Sequence, residues 1–477
     1  MQVIFNGHRA KIVSPVDSIT LEKLSQAMKF QPLHMKFMPY KQKKIATRFW
    51  DGFVKLFNKT TKEFPTGLIS KLLEIDPKAI VKPEKPLKTF SMTQKLSCLY
   101  EYQIRAVEAL INSPYSHSMA ELATASGKSV LTAELCLRAE NMKVLVTVPT
   151  LDLLHQTKDA LVHWTGEEVG IYGDKSKEID KRITVATIQS LASGVKYDNK
   201  SKRAVYPDKL KERAEWLRTI DYLIVDECHG AAAESYQILS SLLSNTYIRH
   251  GLTATLRRED GNELILHGVL GPCVTKVTPA ELISKGFLAL PRVELHYLSH
   301  GNYNSSLGFA ELYKEAVVNN SNRTSYIAEQ AKRCLAEARG PVLILFDLLE
   351  HGDNLYAAVK DLGRSALVSG STETKDRKSL VQQVENGEID IVVASIIWVT
   401  GVNIRRLKTL IVAGSGKSGT MTVQRAGRVL RTHPDKEEAL IIDICDEERL
   451  YLRDQYIARR FFYNEKYPGY VYDIRED

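Results

Sequence analysis

The stretch Ala123-Thr124-Ala125-Ser126-Gly127-Lys128-Ser129 decides how the rest of this sequence is interpreted. It follows a short strand candidate, Ser118 to Leu122, and precedes a helix candidate, Val130 to Ala139. A tight turn between a strand and a helix N-terminus points successive backbone N–H groups, and the helix dipole, at an anion. The stretch therefore predicts a phosphate-binding loop in which Lys128 contacts the β- and γ-phosphates of a nucleotide and Ser129 binds Mg²⁺.

This loop departs from the usual pattern G-x-x-x-x-G-K-[ST], because Leu122 stands where the first glycine is expected. A second Gly-Lys-Ser triplet occurs at Gly416-Lys417-Ser418. The triplet alone is therefore also compatible with an ordinary surface turn. If the loop does bind phosphate, the residues around the nucleotide are Thr124, Ala125, Ser126, Gly127, Lys128 and Ser129.

The stretch Val225-Asp226-Glu227-Cys228-His229 follows an apolar strand candidate, and Asp226 lies 97 residues past Ser129 (226 − 129). Adjacent carboxylates repel each other unless a cation is close. Mg²⁺ would relieve that repulsion, with Asp226 binding the metal through its waters and Glu227 polarising the attacking water. The alternative is a solvated strand end, but the upstream Gly-Lys-Ser favours the metal site.

A third stretch, Gln424-Arg425-Ala426-Gly427-Arg428-Val429-Leu430-Arg431, places Arg428 300 residues beyond Lys128 (428 − 128). Arginines delivered from a second domain stabilise charge on a transferring phosphoryl group when the two domains close. Arg428 and Arg431 are the candidates for this role. The alternative is that they are surface or salt-bridged arginines.

Length and composition indicate a multidomain globular protein. A chain of 477 residues suggests about three domains. It is 44% hydrophobic and 26% charged, and no apolar run approaches the ~18 residues that span a bilayer. The N-terminus lacks a signal-peptide pattern, and the six cysteines are scattered, which favours a reducing cytoplasm. The histidines form no metal-spaced cluster, so no metal other than Mg²⁺ is predicted.

The positive charge of the chain is concentrated at its N-terminus. Residues 1–90 contain 17 Lys/Arg and 7 Asp/Glu, a balance of +10, whereas the whole chain is +8, so the remainder is 8 − 10 = −2. Basic residues alternate there with the aromatic residues Phe37, Tyr40, Phe49, Trp50, Phe53 and Phe57. We interpret this region as a surface that contacts a phosphate backbone, although a merely solubilising surface would have the same composition.

The strand pattern predicts an α/β fold with two parallel-sheet domains in tandem, preceded by a small α+β domain. Continuous apolar runs that alternate with helices are typical of strands buried on both faces. Such runs occur near 144–148, 183–186, 222–225 and 249, pause between about 285 and 315, and resume at 341–346, 365–368, 389–394, 409–413 and 439–444. The predicted boundaries are 1–80 for a basic accessory domain, 81–92 for a linker, 93–300 and 301–445 for the two sheet domains, and 446–477 for a C-terminal helical tail.

The order of these stretches resembles the superfamily 2 helicases of the DExH type. Gly127-Lys128-Ser129, Asp226 to His229, Thr253-Ala254-Thr255 and Gln424 to Arg431 carry the resemblance, which covers residues 95–445. Gly251 to Thr255 followed by Arg258-Glu259-Asp260 is similar to the XPB-type repair helicases. Arg48-Phe49-Trp50-Asp51-Gly52 and Phe64-Pro65-Thr66-Gly67-Leu68 resemble the phage UvsW-type branch-migration helicases, and the whole chain looks most similar to that group.

The resemblance implies RecA-like domains and assigns further roles. Gln103 would read the adenine edge, and Gln424 would lie near His229. Thr253 and Thr255 would couple the nucleotide state to the nucleic-acid site. Asn403 stands where the family usually has Asp, which leaves its role open. The remaining positions implied at the nucleic acid are Pro149, Thr150, Thr187 and Gln189, with Thr400 in the second domain. Gly401 and Asn403 of the second domain are implied at the nucleotide.

These inferences predict a monomeric or weakly associating ATP-dependent DNA helicase or translocase with ATP and Mg²⁺ as cofactors. The resemblance implies a branched or duplex-containing DNA substrate, a role in recombination, repair or replication, 3′-to-5′ polarity and a host-cytoplasmic location. Three alternatives stay open, namely a structured-RNA helicase, a duplex translocase without strand separation, and a non-enzymatic scaffold. The basic segment Lys196 to Arg218 is either a DNA-facing insertion or a solvated loop.

Overall fold

A computed structural model describes residues 1–32, 51–198, 201, 203–229, 233–256, 261–299, 308–370, 372–395, 404–414, 416, 419–447 and 450–475. The chain folds into two compact units. The first comprises residues 1–122 and 127–277, and the second comprises residues 123–126 and 278–477. The predicted aromatic positions Phe37, Tyr40, Phe49 and Trp50, together with Arg258 to Asp260, lie outside the described residues.

The first unit begins with a small mixed sheet, here called the accessory sheet, whose strand order is β5-β2-β1-β6. β1 pairs antiparallel with β2 and parallel with β6. Helices Ser18–Ala27 and Ile69–Ile75 pack with it around Phe5, Leu24 and Phe64. The strands are β1 Gln2–Phe5, β2 Arg9–Ile12, β5 Glu63–Pro65 and β6 Ile80–Pro83, with β3 Lys29–Phe30 and β4 Val54–Lys55 forming a separate ribbon.

The larger sheet of the first unit has the order β10-β9-β11-β8-β14-β15-β7-β16 within the described residues. Its pairings are parallel except for the edge pair of β9 and β10. The strands are β7 His117–Leu122, β8 Val144–Val148, β9 Val169–Gly173, β10 Ser176–Lys177, β11 Ile183–Thr187, β14 Tyr222–Asp226, β15 Ile248–Thr253 and β16 Cys273–Val277, beside the hairpin β12 Lys196–Asp198 and β13 Arg203–Val205. Every residue of β8, β11 and β15 is buried, as expected for strands covered on both faces.

Helices cover this sheet and connect its strands. Parallel strands need such crossover connections, which is why strands and helices alternate along the chain. The helices are Glu101–Ile111, Lys128–Arg138, Leu151–Thr165, Ile188–Ala192, Lys211–Leu217, Ala233–Leu242 and Glu263–Leu270, with single 3₁₀ turns at Thr66–Leu68 and Asp208–Leu210.

The accessory sheet is docked directly on the helices of the larger sheet. The Gly7 N–H donates to the Ser244 carbonyl at 2.8 Å, and the His8 ring nitrogen Nδ1 lies 3.0 Å from the Ser240 hydroxyl. At Gly67 the backbones approach so closely that an added Cβ would lie 2.1 Å from the His267 carbonyl oxygen. The accessory sheet is therefore a fixed part of the first unit.

Replacing Gly67 with alanine is expected to destabilise the first unit by about 1–3 kcal/mol, the usual cost of overpacking. The new methyl group would meet the backbone of the helix Glu263–Leu270, which cannot rotate away as a side chain could. The midpoint of chemical denaturation measures this effect. Gly308→Ala is the matched control, because nothing lies within 4 Å of its added Cβ and its φ of −67° suits alanine. Equal midpoints for the two variants would contradict the docking described here.

The second unit contains a parallel sheet with the order β19-β20-β18-β21-β22-β17-β23 within the described residues. The strands are β17 Leu290–Leu298, β18 Val342–Phe346, β19 Ser365–Val368, β20 Ile391–Ser395, β21 Thr409–Val412, β22 Glu438–Asp446 and β23 Val471–Arg475. The helices are Pro279–Ser284, Phe309–Tyr313, Ser321–Ala336, Leu349–Val359, Thr374–Glu385, Gly419–Val429 and Leu450–Lys466, with one π-helical turn at Lys314–Val318. Two parallel sheets in tandem confirm the predicted fold class.

The structure departs from the predicted organisation at four places. β17 lies in the span 285–315, where no strand was predicted, and it pairs in the second sheet although the first sheet domain was expected to extend to residue 300. β6 occupies the first residues of the predicted linker at 81–92. The predicted helical tail ends in strand β23, which pairs with β17. Within Lys196 to Arg218, which could have been a solvated loop, the described residues form strands β12 and β13, a 3₁₀ turn and the helix Lys211–Leu217.

The polar residues of β17 explain why this strand was missed. Arg292, Glu294 and His296 alternate with Val293, Leu295 and Tyr297, so the strand lacks a continuous apolar run. The Glu294 carboxylate accepts hydrogen bonds from Arg292 at 2.7 Å and Arg333 at 2.8 Å, and it lies 3.0 Å from the His296 ring. Burial acts to raise the pKa of Glu294, but these partners outweigh it and hold the pKa well below its usual range. Buried charges of this kind are stable only when they are paired.

Candidate nucleotide site and arginine helix

The loop predicted to bind phosphate connects β7 to the N-terminus of the helix Lys128–Arg138. Ala125 and Gly127 both have left-handed backbone conformations, with φ of 66° and 79°. The Ser126 N–H donates to the Ala123 carbonyl at 3.1 Å, which closes the turn. Thr124 lies within this turn, and Ser129 is the second residue of the helix. The loop therefore has the strand–turn–helix form in which backbone N–H groups converge on an anion.

Gln103 lies beside this loop. Its carbonyl oxygen accepts a hydrogen bond from the Tyr100 N–H at 2.9 Å and caps the helix Glu101–Ile111. A Cβ added at Gly127 would lie 2.4 Å from the Gln103 amide nitrogen. Position 127 therefore favours glycine for its φ, and a Cβ there would also displace the Gln103 side chain. The structure brings Gln103 to the nucleotide loop, and its contact with adenine stays a prediction.

The two adjacent carboxylates meet the lysine of the loop. β14 ends at Asp226, and Glu227 follows with a φ of 47° that turns the chain sharply. The Lys128 ammonium forms an ion pair with the Glu227 carboxylate. Burial, together with the negative charge of Glu227, raises the pKa of Asp226 to about 6 although Lys128 opposes the shift. Burial also acts to lower the pKa of Lys128, but Glu227 and Asp226 outweigh it, so that pKa is raised.

These residues fit ATP and Mg²⁺ chemically. The Ser129 hydroxyl and the Asp226 carboxylate are hard oxygen donors, and Mg²⁺ is usually held by one or two such protein groups together with phosphate oxygens and water. A cation beside Asp226 would offset the burial that raises its pKa. In the described ranges we find no group of three or more His, Cys, Asp or Glu residues able to hold a metal without such phosphates.

A chain of polar contacts extends from Glu227 through His229 to the end of the neighbouring strand β15. The His229 ring nitrogen Nδ1 lies 3.4 Å from Glu227 Oε2 and 2.7 Å from the Thr253 hydroxyl. The Thr253 hydroxyl donates to the Thr255 carbonyl at 2.7 Å and accepts from the Thr255 N–H at 3.2 Å. His229 therefore links Thr253 to Glu227, and the coupling role of Thr253 and Thr255 stays a prediction.

The loops predicted to touch nucleic acid follow β8 and β11, which are adjacent parallel strands. Thr150, after Pro149, caps the helix Leu151–Thr165 by accepting from the Leu153 N–H at 3.3 Å. The Thr187 hydroxyl caps the helix Ile188–Ala192 by accepting from the Ser190 N–H at 3.2 Å. Thr150 and Gln189 are exposed, whereas Thr187 is buried. The capping hydroxyls are therefore structural, and an external ligand can reach Thr150 and Gln189.

The arginine stretch forms the helix Gly419–Val429 of the second unit and the turn that follows it. Arg428 and Arg431 are partly exposed. Burial lowers the pKa of Arg431 to about 9, and the nearby cations Arg428 and Arg405 add to this, while Glu385 opposes them. Crowded cations of this kind favour an anionic ligand, because a phosphate would relieve their mutual repulsion.

Thr400, Gly401 and Asn403 lie outside the described residues, as do Lys417 and Ser418 of the second Gly-Lys-Ser triplet. Gln424 lies in the arginine helix, but its side chain is also outside the described part.

The structure adds Tyr236 to the nucleotide site and gives Arg425 a structural role in the arginine helix. The Tyr236 hydroxyl donates to the Cys228 carbonyl and fixes the turn after Glu227. Arg425 is buried, with its guanidinium 3.9 Å from the Asp347 carboxylate, and it anchors the arginine helix. Arg425 belongs to the quoted stretch, whereas Tyr236 has no signal in the sequence.

Two family models match the chain at the positions of these two sites. Residues 97–258 match the family described as type III restriction enzyme, res subunit, and residues 328–433 match the helicase conserved C-terminal domain. Together with the two parallel sheets, these matches identify the class of protein as an ATP-dependent helicase. The motifs of the chain are similar to those of the superfamily 2 helicases of the DExH type.

Individual relatives agree with this assignment. The chain is 26% identical over 431 residues to the ATP-dependent DNA helicase uvsW of Enterobacteria phage T4, covering 83% of this chain and 82% of the relative. It is 27% identical over 386 residues to the DNA 3'-5' translocase XPB2 of Sulfurisphaera tokodaii, covering 72% and 81%. A fragment of a putative HsdR subunit of a type I restriction enzyme from Vibrio vulnificus shares the fold, with a TM-score of 0.59, 19% identity and coverage of 92% and 82%.

No helix among the described residues has both the length and the apolar composition that a membrane-crossing segment requires.

Proposed function

We propose that this chain is an ATP-dependent DNA helicase or translocase that remodels branched DNA by branch migration, fork regression or unwinding of D-loops and R-loops. The observation that carries the proposal is the contact between Lys128 of the phosphate loop and Glu227 beside Asp226. This contact brings a phosphate-binding cation and a candidate general base to one place.

In the proposed site Lys128 exchanges Glu227 for the β- and γ-phosphates of ATP. Glu227 is then free to polarise the attacking water. Ser129 and Asp226 would hold Mg²⁺, which supplies charge neutralisation at the phosphates. Gln103 selects adenine, and Arg428 and Arg431 stabilise charge on the transferring phosphoryl group. The chain from His229 to Thr253 and Thr255 transmits the state of the nucleotide to the DNA-binding loops.

The DNA substrate is proposed from charge and from the relatives. Residues 1–90 have a balance of +10, and counterion release from such a surface supplies sequence-independent affinity for a phosphate backbone. The matched relatives named above are a DNA helicase and a DNA 3'-5' translocase. We therefore propose 3′-to-5′ movement on DNA, with Thr150 and Gln189 among the residues that touch the strand.

The organisation proposed for this activity is a monomer in the host cytoplasm. The basic accessory domain ends near residue 83, the two RecA-like domains follow, and the C-terminal helix and strand belong to the second of them.

ATP turnover is expected to rise most with forked and four-way-junction DNA. Contact of the basic accessory surface with a duplex arm adds affinity that a single strand does not supply. We would measure steady-state hydrolysis against single strands, duplexes, forks and junctions in DNA and RNA versions, beside strand-displacement and triplex-displacement assays. Equal stimulation by RNA duplexes would replace the DNA proposal with a structured-RNA helicase. Triplex displacement without strand separation would replace it with a duplex translocase.

A further inference from the structure

A groove in the first unit lies along the accessory sheet and strand β4, and it adjoins Tyr197 of the hairpin formed by β12 and β13. Its larger part, about 390 Å³ in volume, is lined by Arg9, Ser25, Lys55, Asn58 and Lys59, with two apolar residues. A smaller adjoining cavity is lined by Arg9 and Lys55 again, together with Tyr197 of the hairpin and residues of the helices Ala233–Leu242 and Glu263–Leu270. Arg9, Lys55 and Leu56 line both cavities. We call this feature the anion groove.

Arg9 is the unusual member of the groove. Among the described residues its guanidinium has neither a hydrogen-bond partner nor a carboxylate within 4.0 Å, although it is partly buried. Burial lowers the pKa of Arg9, and the charges of Tyr197 and Glu63 offset only part of that effect. Burying a cation without a partner costs free energy, so such a group indicates a ligand that supplies the missing negative charge.

Lys55 and Lys59 can bind a phosphate in the groove without a large cost in free energy. Lys55 pairs with Asp51 and Lys59 pairs with Glu22, and all four side chains are about half exposed. Exposed pairs of this kind contribute about 0–1 kcal/mol, so a phosphate can replace either carboxylate at little cost. Two further lysines keep the surroundings of the groove positive. The Lys11 ammonium lies 4.0 Å from Glu63, and Lys29 lies over the Phe53 ring.

The lining of the groove favours a phosphate over a base. Ser25 and Asn58 are short polar groups able to hydrogen-bond phosphate oxygens, and Arg9 offers a planar fork that matches them. Phe57 lines the groove, but it is buried in the core of the accessory sheet, so its ring offers no face for stacking. On the hairpin side, Lys196 and Arg203 are exposed and extend the positive surface.

We propose that the anion groove seats one backbone phosphate of a DNA duplex arm, held by Arg9 with Lys55 and Lys59, where the arm crosses from the accessory sheet to the β12–β13 hairpin. This inference rests on the proposed DNA-remodelling function and specifies one contact within it. The groove thus fixes a duplex arm on the first unit, at a place distinct from the loops that touch the translocated strand.

The test compares Arg9→Ala and Arg9→Gln with Lys82→Ala. Lys82 is exposed on β6 of the same accessory sheet but lines neither cavity. Lys82→Ala is therefore the control for the loss of one positive charge. Binding to fluorescent four-way-junction DNA is measured by anisotropy over a series of salt concentrations. Loss of one phosphate contact lowers the salt slope by about 0.9, which at 0.1 M salt corresponds to about eightfold weaker binding. We expect this result for both Arg9 variants and a smaller loss for Lys82→Ala.

Several outcomes would overturn the inference. Arg9 variants with the salt slope and affinity of Lys82→Ala would show that no phosphate sits at Arg9. Inorganic phosphate could compete for the groove of the wild-type protein while the Arg9 variants bind DNA with unchanged affinity. That result would make the groove a small-anion site instead. ATP hydrolysis without DNA should be the same in all variants, which also reports that they are folded. A wild-type protein that neither binds DNA nor responds to it would refute the proposed function itself, whereas an effect of DNA on the wild type with no Arg9 effect refutes only this contact.

Discussion

Replacing Lys128 with alanine is expected to lower the rate of ATP hydrolysis at least about a hundredfold, the usual loss when one preorganised charge-stabilising group is removed. Lys128 is the cation of the phosphate loop, and its ammonium pairs with Glu227 beside Asp226. Without it, Asp226 and Glu227 retain their mutual repulsion and the γ-phosphate loses its positive partner. Steady-state phosphate release at saturating junction DNA measures the effect.

DNA binding by the Lys128→Ala variant is expected to persist, because the basic accessory surface is separate from the phosphate loop in sequence. Lys332→Ala is the matched control, since this lysine is exposed on the helix Ser321–Ala336 and belongs to no predicted site. The control should hydrolyse ATP at the wild-type rate. Retained hydrolysis or strand displacement by the Lys128 variant would favour the non-enzymatic scaffold over the motor.

The fold could be predicted from sequence wherever strands are apolar on both faces. Val144–Val148 and Ser365–Val368 were predicted with the same bounds that the structure has, and Tyr222–Asp226 differs by one residue. Strands β17 and β23 could not be found in this way. Their charged residues are neutralised by partners distant in sequence, such as Arg333 for Glu294 and Arg460 for Asp473, and such pairing leaves no local pattern.

The features of the candidate site also divide into those that a local sequence pattern marks and those that depend on tertiary packing. The loop from Thr124 to Ser129 and the strand end at Asp226 each carry a local pattern, so both could be located from sequence. The contact of Gly127 with Gln103 depends on how separate helices pack. The hydrogen bond from the Tyr236 hydroxyl to the Cys228 carbonyl depends on packing in the same way. Arg9 of the anion groove could not be found from sequence either. It lies in an ordinary strand, and only its lack of a partner in the described structure distinguishes it.

Replacing Arg428 with alanine is expected to reduce kcat for ATP hydrolysis by about a thousandfold or more, the range established for arginine fingers. Arg428 is partly exposed beside Arg431, whose pKa is lowered to about 9 by burial and by the charges of Arg428 and Arg405. Cations crowded in this way are poised to stabilise charge that develops in the transition state. Because the stabilised charge appears only then, ATP affinity should change far less than kcat.

Two further variants separate this role from general loss of positive charge. Arg428→Lys keeps the charge but loses the planar fork that binds two phosphate oxygens, so we expect it to recover only a small part of kcat. Arg453→Ala removes an exposed arginine from the C-terminal helix Leu450–Lys466 and should leave kcat unchanged. Equal KM and kcat for Arg428→Ala and Arg453→Ala would remove Arg428 from the catalytic machinery. The arginine helix would then be a packing element held by Arg425 and Asp347, and Arg431 alone would remain as the candidate for phosphoryl stabilisation.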